Sequence, residues 1–252
     1  MQRLVMVTLL ATAIAAITTP AFAAEPPRFV LEFEAGPVWQ TYNDVQIPND
    51  ESGTRFALDE LVGSGPWPSG RLYATWNINQ RHGLRLLLAP LSYTETGTLD
   101  EPVDFAGASY EPGVPTEASY RFNSWRLTWR YRLKDGERWQ LHIGATAKIR
   151  DAEIRLRQGD TESSDDDLGF VPLLHFAAEY RLADRWRLIG DLDALAGGPG
   201  RAIDLALKLG YDVNDLWSVT AGYRAVEGGG DTDDVYSFAW FNAAVVSAVV
   251  RF

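Results

Sequence analysis

The sequence predicts an all-β chain closed into one antiparallel up-and-down barrel of about ten strands that crosses a membrane. Three observations lead there. Apolar and polar side chains alternate in run after run, each about ten to fifteen residues long. An ordinary strand has roughly five or six residues, and an oblique crossing of a bilayer takes ~9–11. A hairpin base recurs: Tyr180-Arg181-Leu182-Ala183-Asp184-Arg185-Trp186, again from Tyr131 to Trp139 and from Tyr211 to Trp217, and more loosely from Trp76 to His82. Finally, these short turns alternate strictly with mostly longer loops, so both chain ends fall at the short-turn end.

Composition narrows the setting. Arg3, an apolar core from Leu4 to Ile17 and the small-x-small site Ala21-Phe22-Ala23 make residues 1–23 a cleavable export signal, leaving 24–252 as one domain. Beyond that signal no stretch approaches the ~20 apolar residues of a membrane helix. With no Cys there is neither a lipid-anchored N-terminus nor a disulfide framework. The 34 acids against 23 bases argue against nucleic acid, which favours clustered Lys and Arg.

Taken in order, the first strand sets Phe29, Leu31, Phe33, Ala35 and Trp39 on one face against Glu32, Glu34 and Gln40 on the other. Gly36-Pro37 in its middle predicts a bulge. A polar segment from about Asn43 to Pro68 reads as a loop. The second strand, Arg71 to Ile78, alternates Leu72, Ala74 and Trp76 with Arg71, Tyr73 and Thr75. Leu84 to Tyr93 is apolar on both faces and holds Pro90. Thr98 to Glu117 reads as a Gly/Pro/acid-rich loop. Tyr120 to Leu133 then separates Trp125, Leu127, Trp129 and Tyr131 from Ser124, Arg126 and Arg130.

Trp139 to Arg157 keeps Leu141, Ile143, Ala145, Ala147 and Ile149 on one face. At Arg150-Asp151 the apolar set changes phase to Ala152, Ile154 and Leu156, which one inserted residue would explain. Gly159 to Asp167 reads as an acidic loop. Phe170 to Leu182 and Trp186 to Ala196 form the next pair of strands. Ile203 to Tyr211, Trp217 to Tyr223 and Tyr236 to Phe252 complete ten.

Alternation alone leaves open which face meets lipid, because a soluble barrel with an apolar lumen alternates equally well. The strand ends decide. Trp76, Tyr131, Trp139, Tyr180, Trp186, Tyr211 and Trp217 cluster at the short-turn ends of the apolar face, as an interfacial girdle does. The polar face carries both signs of charge. Counted from the short-turn end, Arg126, Asp193, Asp204 and Arg224 fall at one level, with Glu34, Arg71 and His175 close to it. Such a set can neutralise itself inside a closed lumen.

The signal peptide, the Tyr-x-Leu…Asp-Arg-Trp hairpin bases and the last strand, with Val246, Ala248, Val250 and Phe252 on one face, resemble the bacterial outer-membrane β-barrel proteins. The resemblance covers the whole mature chain. It implies short periplasmic turns, longer extracellular loops, and contact with outer-membrane lipid and lipopolysaccharide. It also implies that the last strand, ending in Phe252, is read by the barrel-assembly machinery.

Chemistry is sparse. Some barrels of this kind are enzymes with Ser, His and acids near the outer rim, and here the histidines are His82, His142 and His175. His82 belongs to a short turn, His142 lies low on the polar face, and His175 lies near mid-lumen. No spacing brings an acid, a base and a nucleophile within ~3 Å. Asp165-Asp166-Asp167 and Asp231-x-Asp233-Asp234 offer oxygen ligands but lack the calcium-loop pattern with its terminal Glu. No catalytic residue, cofactor or metal is therefore expected. The reading is a non-enzymatic barrel with a charge-filled lumen, either structural or a narrow pore. A lipid A- or phospholipid-modifying enzyme and a soluble periplasmic lipid-binding barrel are the alternatives.

Overall fold

Alternating side chains make every strand two-sided, and long two-sided strands with short turns at one end close on themselves rather than stack. The computed structural model describes residues 26–198 and 200–252; the expected export signal lies outside them. The elements run β1 (Phe29–Gln46), β2 (Phe56–Ala57), α1 (Leu58–Val62), β3 (Trp67–Asn77), β4 (His82–Ala89), β5 (Ser92–Thr98), β6 (Val103–Phe105) and β7 (Ala108–Tyr110). Then follow β8 (Pro115–Asp135), β9 (Trp139–Gln158), β10 (Thr161–Ala183), β11 (Trp186–Gly197), β12 (Gly200–Asp212), β13 (Trp217–Asp231) and β14 (Tyr236–Arg251).

Eleven of these build a wall of ten staves: β1, β3, β4 continued by β5, and β8 through β14. Every pairing is antiparallel, and β14 returns to β1 from Arg251 opposite Val30 to Tyr236 opposite Gln46. Phe252 and Phe29 exchange backbone hydrogen bonds of 2.9 and 3.2 Å where the barrel closes.

The apolar face points outward. Leu127, Phe170, Leu174, Leu207 and Val246 are each more than half exposed, while Glu34, Arg126, Asp193 and Asp204 on the opposite face are at most 3% exposed. A water-soluble barrel would bury the first set. The outer surface also carries Trp76, Trp139, Trp186 and Trp217, each more than 40% exposed, and Tyr131, Tyr180 and Tyr211 stand half-buried beside them. Trp139 rests on Tyr180 and Trp186 on Tyr211, with ring centroids 4.7 and 4.9 Å apart. Towards the long-loop end the same surface has Trp39, Tyr223 and Trp240. In the last strand Val246, Ala248 and Phe252 lie on the exposed face.

Two expected bulges are not where the sequence suggests. Gly36 and Pro37 pair in sequence with β3, and on the β14 side, where they are themselves unpaired, Ala35 opposite Val246 and Val38 opposite Ala243 keep one register. A Cβ at Gly36 would lie 1.9 Å from the Ala244 carbonyl oxygen, so the glycine serves a close approach of β14. The register slips instead between Gln40 and Tyr42, which turns Asn43 and Val45 inward after Val38 and Gln40. At Arg150-Asp151 there is no slip either, because β9 keeps its register there with both β8 and β10; the one shift against β8 is at Arg132–Lys134. What changes there is polarity. The outward series goes from Ile143, Ala145, Ala147 and Ile149 to Asp151, Glu153, Arg155 and Arg157. The inward series goes from Thr146 and Lys148 to Ile154 and Leu156. The apolar surface leaves the outside at this level and continues on the inside.

That inversion marks where the wall leaves lipid. β8, β9 and β10 have 21, 20 and 23 residues, about twice the ~9–11 of an oblique crossing. The segments expected to be polar loops fold into the mouth of the projecting part. Leu58 and Leu61 of α1, Val103 and Phe105 of β6, and Tyr110 of β7 are buried against Val45, Ala118, Tyr120, Ile154, Leu156 and Phe241. The Tyr110 hydroxyl donates to the Leu156 carbonyl at 3.0 Å, and the Ala106 N–H donates to Ile47 at 2.8 Å. An apolar cap thus fills the lumen at the long-loop end. Within it the Tyr93 hydroxyl donates to Gln40 Oε1 at 2.8 Å, and burial pushes its phenol above the ordinary range.

Two outcomes test this layout. Leu156→Ala should cost about 2–5 kcal/mol, while Arg155→Ala should stay within about 0.5 kcal/mol, in urea unfolding from lipid vesicles. An inserted residue at 150–151 would reverse that order. In the same assay Trp186→Arg at the interface should cost no more than ~1 kcal/mol, against roughly 2–4 for Leu207→Arg nearer mid-depth.

Candidate functional site

The functional question concentrates on the lumen, where charges from most of the wall converge. Asp193 on β11 and Asp204 on β12 stand directly opposite each other in the ladder. Two like charges in such a pair repel unless a cation lies between them. Arg126, reaching from β8, supplies it: Nη1 meets Asp193 Oδ2 at 2.9 Å and Nη2 meets Asp204 Oδ2 at 2.7 Å. The Arg126 Nε donates to Ser124 Oγ at 2.8 Å, so its fork is fixed.

From that centre the pairing spreads across the barrel. Asp204 also takes Arg71 from β3 at 2.6 Å and Arg224 from β13. Arg224 meets Glu34 of β1 at 2.8 Å, with Arg71 3.9 Å from the same carboxylate. Lys208 of β12 bridges Glu34 at 2.9 Å and Glu32 at 2.5 Å. On the other side Arg85 of β4 binds Asp191 at 2.6 Å and lies 4.0 Å from Asp193. His175 of β10 completes the shell of Asp193, Nδ1 to Oδ1 at 2.8 Å, and the Thr146 hydroxyl donates to that oxygen at 3.1 Å. Five acids and five bases form one continuous chain of contacts across the lumen.

The structure therefore brings together Glu34, Arg71, Arg126, Asp193, Asp204 and Arg224, and joins Glu32, Arg85, Asp191 and Lys208 to them. On the polar face Glu32 and Asp191 lie one step from the counted level and Lys208 two steps from it. Arg85 was hidden in a run apolar on both faces, and the signal was its being the one charge there. Lys148 stays outside the balance. It lies opposite Arg126, is 3% exposed, and has no carboxylate within 4.0 Å among the described residues. Its ammonium sits 4.7 Å from the centroid of the Phe122 ring.

The ionic chain separates two cavities. One of about 1010 Å³ opens among the short turns, lined by Asp135 to Arg138, Asp184, Arg185, Asn214 and Asp215, and ends on Glu32, Arg85, Asp191, Lys208 and Arg224. Arg130 and His142 stand in its wall. The other, of about 50 Å³, lies on the far side against Glu34, Arg71, Arg126 and Arg224 and is otherwise mostly apolar.

No histidine reaches the long-loop rim. His82 stacks on Trp129 and accepts its indole N–H at 3.3 Å, at the short-turn end. The stretch expected as an acidic loop, 159–167, is mostly strand: Asp165 to Asp167 belong to β10, extended beyond lipid against β9, and Asp167 pairs with Arg150. Asp231, at the end of β13, accepts from Asn49 Nδ2 at 2.8 Å. Burial, and then Asp166 and Asp167, raise the Asp165 carboxyl above its usual range. Among the described residues no group of three or more His, Cys, Asp or Glu side chains is placed to hold a metal ion.

The Arg126–Asp193 contact should show coupling. Either single change to Ala strands a buried charge, the costly half of a broken pair, while removing both strands less. A double-mutant cycle with urea unfolding should give an interaction energy of about 0.5–3 kcal/mol. A value of zero would mean the two side chains are independently solvated.

No protein-family model matches the chain. Among solved structures, the outer-membrane protease OmpT of Escherichia coli aligns with a TM-score of 0.58 at 10% identity, over 92% of this chain and 99% of that one. The translocator domain of the autotransporter NalP of Neisseria meningitidis gives 0.46 at 12%, over 92% and 90%. The attachment invasion locus protein Ail of Yersinia pestis gives 0.41 at 8%, over 87% and 99%. At such identities the likeness is one of fold, and the fold is that of a small outer-membrane β-barrel.

Proposed function

We propose that this chain is a sealed, non-enzymatic barrel of the bacterial outer membrane, exported with a cleaved signal, with its short turns in the periplasm and its cap at the cell surface. The observation that carries this reading is the continuous ionic chain across the lumen, backed on its far side by a folded apolar cap. Ten strands leave a lumen only slightly wider than the eight whose side chains nearly fill it. Here the filling is charge-balanced at mid-depth and apolar above, so a hydrated ion meets two different barriers. The periplasmic vestibule is wet but ends blind.

The enzymatic alternative lacks its parts. His175 is buried against Asp193, His142 lies in the vestibule and His82 stacks on Trp129, so none stands beside a Ser or a free acid at the outer rim. A soluble carrier would need its apolar face inward, the reverse of what Leu127, Phe170 and Leu207 do. In this reading Trp76, Trp139, Trp186 and Trp217 contact outer-membrane lipid near the periplasm. The acidic outer ends of the strands and their loops lie among lipopolysaccharide, and the strand ending in Phe252 is what the assembly machinery engages.

Planar-bilayer recording of the purified barrel should show no steady conductance. Arg126→Ala with Asp193→Ala should stay silent too, because the cap above them is untouched. A large, steady current from the unmodified protein would make it a porin with a charged constriction, and the sealed reading would fall.

A further inference from the structure

The wall is not hydrogen-bonded all the way round. β3 pairs with β4 from Asn77 opposite Gly83 up to Leu72 opposite Leu88, and there the ladder stops. Above that point Trp67 to Arg71 pair only with β1. Ser92 to Thr98 of β5 pair only with β8. Two strand edges face each other across a seam with no backbone hydrogen bond between them among the described residues. An open edge in hydrocarbon is costly, so donors there must be removed or satisfied. The seam removes two of them, because Pro68 on one edge and Pro90 on the other have no N–H. The polar groups beside them are taken up by the outer neighbours: the Leu91 N–H donates to Asn123 Oδ1 of β8 at 3.2 Å, and Ser69 Oγ donates to the Gly36 carbonyl of β1 at 2.8 Å.

The lower part of the seam lies at lipid depth, while β5 pairs with Arg121 to Pro115, beside Glu153 to Arg157 and above the level where the wall leaves lipid. The seam's lower end is Leu72 and Leu88, 44% and 38% exposed on the outer face, beside Phe33 at 57%. Its upper end is closed by Trp67, which stacks on Tyr93 at 3.8 Å and donates its indole N–H to Glu95 at 3.0 Å. Directly behind it is the cavity of about 50 Å³, lined by Ala35, Val38, Leu91, Phe122 and Val245 and floored by Arg71 and Arg126. Outside it, Ala35 and Gly70 face each other across β1 and β3 and leave a shallow groove. We propose that the seam between β3 and β5 is a lateral port, through which the end of an outer-leaflet lipid acyl chain enters the barrel wall and rests above the ionic chain. The occupant follows from the setting: the mouth opens on the lipid-facing surface, the walls are apolar, and hydrocarbon chains are what that surface meets.

The port rests on the membrane placement proposed above but not on the lumen being sealed. Its test is photolabelling in phospholipid vesicles containing a phospholipid with a diazirine at one acyl-chain terminus, with the modified residues identified by mass spectrometry. Label on Leu91, Phe122 or Val245, besides the outward Phe33, Leu72 and Leu88, is the expected result. Label confined to the outward residues overturns the port and leaves the membrane placement standing. No label on either set overturns both.

Gly70→Phe fills the outer groove. A Cβ there meets only the Phe33 ring, at 3.9 Å, so the backbone need not move. Inward labelling should fall at least tenfold with outward labelling unchanged. Because the chain has no native Cys, Ser69→Cys with Leu91→Cys can also be joined by a short cleavable thiol crosslinker, which should abolish inward label until it is cut. Inward label that survives both treatments would mean the chain enters elsewhere, and the port would fall.

Discussion

Arg126 between Asp193 and Asp204 is the contact on which the lumen depends. The ladder puts two carboxylates opposite each other at mid-depth, and without a cation reaching across from β8 they could not both stay ionised in a closed space. Once Arg126 is committed to them, the other pairings follow by exclusion. Arg71 and Arg224 share Asp204 with it, Arg224 and Lys208 take Glu34, and Arg85 is drawn to Asp191. Lys148, next to Arg126 on the same side, finds no acid left. The chain is balanced as a whole and is not a set of separate pairs.

Such a network is weak evidence for net stability, since removing charges from water costs about as much as their attraction returns. Its consequence for assembly is clearer. The contacts run between strands far apart in sequence, β1 with β12 and β13, β3 with β12, and β4 with β11. A slip of one residue at the β14–β1 closure would turn Glu32 and Glu34 from the lumen to lipid and strand Lys208 and Arg224. Charge pairing and the outward apolar series therefore specify the same register from opposite faces of the wall.

The fold was legible because it is written at period two, and period two survives wherever the strand continues. The hairpin bases located the turns, and the counted level placed Arg126, Asp193, Asp204 and Arg224 together, with Glu34 and Arg71 close by. What misled was assuming that one face keeps one polarity. At Ile149 and Asp151 the outside becomes water and the inside becomes the core of the cap. The alternation is then inverted without any residue being inserted. The same inversion hides the cap. Leu58, Leu61, Phe105 and Tyr110 lie singly among Asp, Glu, Gly and Pro, and nothing local shows that the mouth of the barrel will bury them. Arg85 was obscured for a related reason, since Leu84, Leu86, Leu87 and Leu88 make its strand apolar on both faces.

The barrel thus works under two solvents with one set of strands. In lipid the outside is apolar and the inside must satisfy its own charges; above lipid the outside is charged and the inside packs like a soluble protein. The seam between β3 and β5 falls near the join of these two regimes, which is also where the wall is least held by packing. Below it the ionic chain ties β3 and β4 to the far side of the barrel through Arg71 and Arg85. Above it α1 and the Trp67–Tyr93 stack fill the mouth. Between them neither mechanism acts, and Pro68 and Pro90 remove donors that could have closed the gap. A break in the ladder at that height needs no moving part to persist, because the two edges are held at its ends, by the Leu72–Leu88 pair below and by Trp67 on Tyr93 and Glu95 above.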